Sequence, residues 1–225
     1  MPSRRSCARS TATGRAPSTG CARLASRPAR CSSESETTIL RNFIGKNVNV
    51  EKPKYSVHLF AGGGGGILAD LLDGITPVCA VEIEEYQRNV LGLRFPGLPI
   101  WDDVRTFRAD NPECAGMFAD LREHRDEIVI AGGFPCQDIS CAGKGAGLRG
   151  ARSGLWAEYA RIVREIRPSY VFVENSPFLV SRGLGDVLAD MAALGYDGSW
   201  GVLSAAAVGA RHERERFWGT FRRVD

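Results

Sequence analysis

Two short stretches of the chain carry side chains with chemistry in them. The first reads Ala131-Gly132-Gly133-Phe134-Pro135-Cys136-Gln137-Asp138-Ile139-Ser140 and follows the apolar run Ile128-Val129-Ile130. The thiolate form of cysteine is a nucleophile, and its reactivity is set by its surroundings. Pro135 fixes the backbone immediately before Cys136, and Gly132-Gly133 leaves room there for a flat substrate or a cofactor. The second stretch is Glu174-Asn175, which follows the apolar run 170–173. A thiolate and a carboxyl group at neighbouring strand ends could hold a heteroaromatic ring between them. On local sequence alone, that reading and the reading of an inert buried thiol stand level, because burial is the usual state of a free cysteine.

A third stretch, Phe60-Ala61-Gly62-Gly63-Gly64-Gly65-Gly66, ends a short apolar run that begins at Tyr55. Glycine lets the backbone turn tightly and approach a ligand closely. Glu82 lies 20 residues beyond Gly62, at the end of the apolar run 78–81. A carboxylate in that place can accept both hydroxyls of a ribose. Taken alone, this pairing is a weak sign of a nucleoside cofactor, with a flexible turn and a solvated glutamate as its alternative. Consecutive glycines suit a cofactor lying against the backbone with no anion to cradle, which leans slightly toward S-adenosylmethionine over NAD.

The elements that must position these residues are legible as alternating periods. Residues 55–60, 78–81, 128–130 and 170–173 read as buried strands, and 67–72 has helical apolar spacing. Ser153 is placed to cap a helix whose face is Leu155, Trp156, Tyr159, Ile162, Val163 and Ile166, with Arg167-Pro168 ending it. Residues 187–194 read as a helix closed by Gly195. Strands alternating with helices predict an α/β domain with a mostly parallel sheet covered on both faces. Ligands in such sheets sit at the carboxyl ends of the strands, where the glycines, Glu82, the Pro-Cys pair and Glu174 all fall.

The bulk composition bounds the function. With 225 residues, 44% hydrophobic and 24% charged, the chain can bury one substantial core. No apolar run approaches the length of a membrane span. The seven cysteines form no C-x-x-C pair and there are three histidines, so no metal site is expected. Reduced thiols in a cytosol-like compartment are the default. The net charge of +3 arises from residues 1–30, which hold seven arginines and no acids; the rest has 22 basic and 26 acidic residues, a balance of −4. A nucleic-acid partner is therefore not argued from net charge. Residues 1–38 are rich in Arg, Ser, Ala and Thr and read as a disordered tail, with an organelle transit peptide as a second reading.

From about Tyr55 to Phe221 the chain resembles the DNA cytosine-5 methyltransferases. The glycine stretch from Phe60 to Gly65, Gly133-Phe134-Pro135-Cys136-Gln137, Glu174-Asn175 and His212-Glu213-Arg214-Glu215-Arg216 match the family's motifs in order. Asp103-Val104 matches the acidic residue that binds the adenine amine, with Asp102 as a rival because it replaces a usual glycine. Ser176 stands where valine is usual, and His212 where glutamine is frequent. The resemblance implies a Rossmann-like S-adenosylmethionine-dependent fold. It implies a cofactor site built from Phe60, Ala61, Gly62, Gly64, Gly65, Glu82, Asp103 and Pro135. Cys136, Glu174, Arg214 and Arg216 then carry the catalysis, on DNA, through a covalent Cys-cytosine intermediate and a flipped base. The loop 137–152 reads as a segment closing over that base. Alternatives that stay open are an inactive or regulatory nucleic-acid-binding fragment and an RNA cytosine-5 methyltransferase. Family members continue past the paired arginines into a target-recognition region and a closing segment. Residues 39–225 are thus expected to form a catalytic domain lacking both, with a second subunit as one source of the recognition region.

Overall fold

The computed structural model describes residues 52–135 and 154–224. Cys136, the loop 137–152, Ser153 and the segment 1–38 lie outside the described residues.

Seven strands form one sheet in the order β3-β2-β1-β4-β5-β7-β6. They are β1 (Tyr55–Leu59), β2 (Thr76–Val81), β3 (Ile100–Trp101), β4 (Ile128–Gly132), β5 (Tyr170–Asn175), β6 (Tyr196–Ser204) and β7 (Glu215–Arg223). Strands β1 to β5 pair in parallel, and β7 runs antiparallel between β5 and β6. Six strands therefore point one way and β7 alone points back. The helices are α1 (Gly65–Leu72), α2 (Glu85–Arg94), α3 (Ala115–Glu123), α4 (Gly154–Ile166), α5 (Leu179–Arg182) and α6 (Leu184–Ala193).

Alternation along the strands sorts the two faces. Cys79 and Val81 of β2 join a large core with Val57, Leu59, Ile128, Ile130, Val171 and Val173 and with the inward residues of α3 and α4. Ala80, between them, points the other way and meets Ile67 of α1 and Leu91 of α2 in a second, smaller cluster. Helices thus cover both faces, as the sequence pattern predicts. Of the expected face of α4, Trp156, Tyr159, Ile162, Val163 and Ile166 are buried, and Leu155 is half-buried against the core. Gly195, with φ of 80°, donates its N–H to Ala192 O and closes α6 in the left-handed conformation that glycine tolerates.

Several elements escape the sequence pattern. Helix α2 is largely polar and buries only Leu91. Strand β3 is two residues long, and α3 buries only Phe118 and Leu121. Strand β6 is mostly exposed, so its apolar alternation is weak. Strands β5 and β7 run longer than their apolar runs, because Glu174 and Asn175 pair with Trp218 and Phe217. The site glutamate is therefore inside a ladder, on a rigid element.

Candidate active site

The glycine stretch turns at the carboxyl end of β1. Phe60 has φ of 55° and Gly62 and Gly64 have φ of 53° and 83°, all left-handed. A positive φ at a phenylalanine is uncommon and costs free energy that the surroundings must offset. Here Phe60 stacks on Tyr159 of α4, with centroids 6.4 Å apart. The turn is closed by Gly64 N–H to Ala61 O at 3.0 Å and joined to β2 by Ala61 N–H to Val81 O at 3.1 Å. Gly64 has no room for a side chain: a Cβ there would overlap the Phe95 ring. Around Gly62 and Gly65 a Cβ would meet nothing within 4 Å, so the turn presents open space on that side.

Glu82 sits immediately after β2 and is 7% exposed. Its Oε2 accepts the Gly62 N–H at 2.7 Å and its Oε1 accepts the Glu84 N–H at 2.9 Å. The carboxylate thus ties the glycine turn to the start of α2. Each oxygen accepts one of these bonds and keeps a further lone pair for a hydroxyl. Arg94 adds a bond to Gly63 O at 2.9 Å.

The two acids after β3 differ. Asp102 is exposed, and Asp103 is half-buried. Asp103 Oδ1 accepts the Arg105 N–H at 2.9 Å, and Asp103 O accepts the N–H groups of Thr106 and Phe107. Asp103 therefore heads a compact turn.

At the end of β4, Phe134 is buried against Trp156, 5.3 Å between centroids, and Pro135 is exposed at the rim. Asn175, 2% exposed, donates Nδ2–H to Phe134 O at 2.9 Å and accepts the Ser176 N–H at 2.8 Å. One amide side chain on β5 thus fixes the backbone that leads into Cys136. Glu174 lies on the opposite side of the strand, directly over Gly133: a Cβ at position 133 would overlap Glu174 Oε2. Its Oε1 accepts a bond from Arg216 Nε at 2.9 Å. Arg216 lies two residues from Trp218, the partner of Glu174, so both side chains share one face of the β5–β7 ladder. Burial pushes the Glu174 carboxyl above the usual carboxylate range, and the Arg216 and Arg214 guanidinium groups offset part of that rise. Arg214 is exposed and has φ of 34°, a second non-glycine residue in the left-handed region at this edge.

The described cysteines do not compete for a nucleophilic role. Cys79 and Cys114 are each 1% exposed, and burial pushes the Cys79 thiol up to about 12. Among the described residues no cluster of His, Cys, Asp and Glu has the arrangement of a metal site. No described helix is long and apolar enough to cross a membrane.

The structure brings Phe60, Ala61, Gly62, Glu82, Gly133, Pro135, Glu174 and Arg216 to the carboxyl ends of β1, β2, β4 and β5, with Arg216 contributed by the reversed β7. Three residues have positioning roles that sequence does not reveal. Asn175 is legible there only as half of a motif. Trp156 and Tyr159 read as core, and only the fold shows that their rings carry Phe134 and Phe60.

A sheet of this strand order with one reversed strand, and a glycine turn and carboxylates at its carboxyl edge, defines a Rossmann-like methyltransferase fold. The C-5 cytosine-specific DNA methylase family matches residues 55–220, and the chain belongs to that family. It is 36% identical over 166 residues to the type II methyltransferase M.CviJI of Paramecium bursaria Chlorella virus IL3A, covering 72% of this chain and 41% of that protein. It is 32% identical to the type II methyltransferase M.HhaI of Haemophilus parahaemolyticus, over 72% of this chain and 47% of that one. The chain thus spans less than half the length of these two curated relatives. Among solved structures, the Schizosaccharomyces pombe Dnmt2 methyltransferase superposes with a TM-score of 0.58 at 20% identity, over 75% of this chain and 49% of that one. The Entamoeba histolytica methyltransferase EhMeth gives 0.59 at 15% identity, over 78% and 54%.

Proposed function

We propose that residues 39–225 act as the catalytic part of an enzyme that transfers a methyl group from S-adenosylmethionine to carbon 5 of cytosine in DNA. The observation that carries this reading is Glu174: a proton-favouring carboxyl group, paired with Arg216 and set over Gly133, two residues before Pro135 leads into Cys136.

The residues fit the cofactor. The open side of the turn at Gly62 and Gly65 leaves space for it, and Glu82 keeps lone pairs for two ribose hydroxyls. Phe60, Ala61, Gly64, Asp103 and Pro135 complete the set assigned to it. When bound, the cofactor supplies a methyl group made electrophilic by a sulfonium centre. Carbon 5 of cytosine is a poor nucleophile, and the protein must activate it. The Cys136 thiolate adds to carbon 6, forming the S–C bond, while Glu174 supplies a proton to ring nitrogen 3. The ring then behaves as an enamine, and carbon 5 would take the methyl group as the sulfur–methyl bond breaks with its electron pair left on the sulfur as a neutral thioether. A solvent water takes the carbon-5 proton, the C–H electron pair restores the C5–C6 double bond and expels the Cys136 thiolate, and nitrogen 3 returns its proton to Glu174. A duplex hides carbon 6 in the base stack, so the base must be flipped out to reach Cys136. Arg216 orients Glu174, and Arg214 stands exposed beside it to meet a phosphate or the base oxygen.

A duplex with 5-fluorocytosine tests the chemistry, because fluorine does not leave as a proton does. A denaturation-resistant adduct is expected with wild type and none with Cys136→Ser. An adduct that survives Cys136→Ser and vanishes in Cys141→Ser moves the nucleophile five residues on. Methyl transfer to tRNA but not to duplex DNA makes RNA the substrate. A second polypeptide carrying a recognition region should raise activity at one defined sequence; robust activity there without it removes that partner from the proposal.

A further inference from the structure

Helix α4 carries an arginine that the chemistry described above does not use. Arg161 has Glu158 three residues before it and Glu165 four residues after it, which reads in sequence as a solvated charged face. In the structure its side chain is only 12% exposed. Nε donates to Glu158 Oε2 at 2.7 Å and Nη1 to Glu165 Oε1 at 2.9 Å. Nη2 reaches away from the helix and donates to Val104 O at 2.9 Å and Phe107 O at 3.0 Å. Glu165 adds a third grip, since its Oε2 accepts the Ala109 N–H at 3.0 Å. Arg122 of α3 in turn donates to Glu165 O at 2.6 Å.

We infer that Arg161, with Glu165, is the positioning device for the Asp103 turn, and so for recognition of the adenine base of the cofactor. The inference rests on the cofactor site proposed above. Asp103 heads the turn whose backbone Arg161 holds on both sides, at Val104 and Phe107. A planar guanidinium supplies two donors to two carbonyls at fixed spacing, which a lysine ammonium does not reproduce. The same helix carries Tyr159 under Phe60 and Trp156 under Phe134. One rigid helix therefore sets the adenine side of the site and the nucleophile side in a single frame. The effect reaches the ligand through Asp103, so Arg161 is a positioning residue and not a catalytic one.

Calorimetry on the full chain tests this with two probes, S-adenosylhomocysteine and S-inosylhomocysteine, whose base lacks the exocyclic amine. Wild type is expected to prefer the adenosyl compound by about tenfold, the order of one charge-assisted hydrogen bond. Arg161→Met, with a circular dichroism spectrum like that of wild type, is expected to lose most of that preference while still binding both probes. Arg161→Lys should recover part of it. Glu165→Gln, which leaves the guanidinium in place, should move the ratio the same way by a smaller factor and serves if Arg161→Met does not fold. An unchanged preference in these variants, or an equal loss for both probes, overturns the inference. Failure of wild type to bind either probe overturns the cofactor site itself, a distinct result.

Discussion

Glu174 sits in a balance that pH can read. Its carboxyl is raised by burial, and Arg216 and Arg214 offset only part of the rise. A raised carboxylate pKa means that the charged form is disfavoured on folding. The resulting destabilisation is absent below the ordinary carboxylate pKa, grows between that value and the raised one, and is fully present above both. Glu174→Gln should therefore stabilise the fold at pH 8 by a few degrees in thermal unfolding, a gain that disappears at pH 3. A gain that is equal at both values would show that the side chain's shape, not its charge, is responsible. Gly133 makes a second point at this scale. A methyl group there would overlap Glu174 Oε2 and push the carboxyl aside. Since a displacement of about 1 Å costs on the order of a hundredfold in rate, Gly133→Ala should reduce methyl transfer by about that factor in initial-rate assays. Its unfolding midpoint should change little, because Gly133 is not in the core.

At the scale of elements, the site is held by what lies behind it. Strand β5 delivers Glu174 to one side and Asn175 to the other, a consequence of the two-residue period of a strand. Asn175 then holds the backbone at Phe134 from a buried position. Asn175→Asp keeps an acceptor for the Ser176 N–H but faces the Phe134 carbonyl with a carboxylate. It should destabilise the protein by roughly 2–3 kcal/mol, read as a shift in urea midpoint. It should also slow adduct formation with the fluorinated duplex. Helix α4 works through Tyr159, whose buried hydroxyl donates to Phe172 O at 3.0 Å and lies 3.3 Å from Ile130 O. Tyr159→Phe should cost about 1–2 kcal/mol by the same measurement.

For the whole described body, the two faces of the sheet are unequal. The α3–α4 face buries the large core. The α1–α2 face is sealed by Ile67, Ala80 and Leu91 with a few partly buried neighbours, while Leu68, Leu71 and Leu72 of α1 stay exposed. Local opening follows the amount of apolar surface that must be exposed. Amide hydrogen exchange should therefore be faster in α1 and α2 than in α4, with the glycine turn among the earliest sites to exchange. S-adenosylhomocysteine should slow exchange in the turn and in α1, because a ligand protects what it binds. Equal protection of both faces without ligand would count against this asymmetry.

The sequence by itself determined the frame of this protein. Strands β1, β2, β4 and β5 and helix α4 are strongly apolar with clean periods, so their burial is written into their composition. The glycine stretch and Glu82 were legible as a weak signal because tight turns and charged strand ends need particular residue types, whereas the roles of Glu174-Asn175 and the arginine pair were legible only through the family resemblance. What only the tertiary structure decided is how these residues are used. The polar helix α2, the two-residue β3 and the exposed β6 exist because neighbours complete them, and no local period encodes that. Arg161 carries the spacing of a solvated charge, yet it is only partly exposed, because the 104–109 segment returns to cover it with carbonyl oxygens. Glu174 and Arg216 are 42 residues apart in sequence and meet at 2.9 Å, because β7 reverses into the sheet beside β5. A residue type limits what a side chain can do, and long-range packing decides which partner it finds.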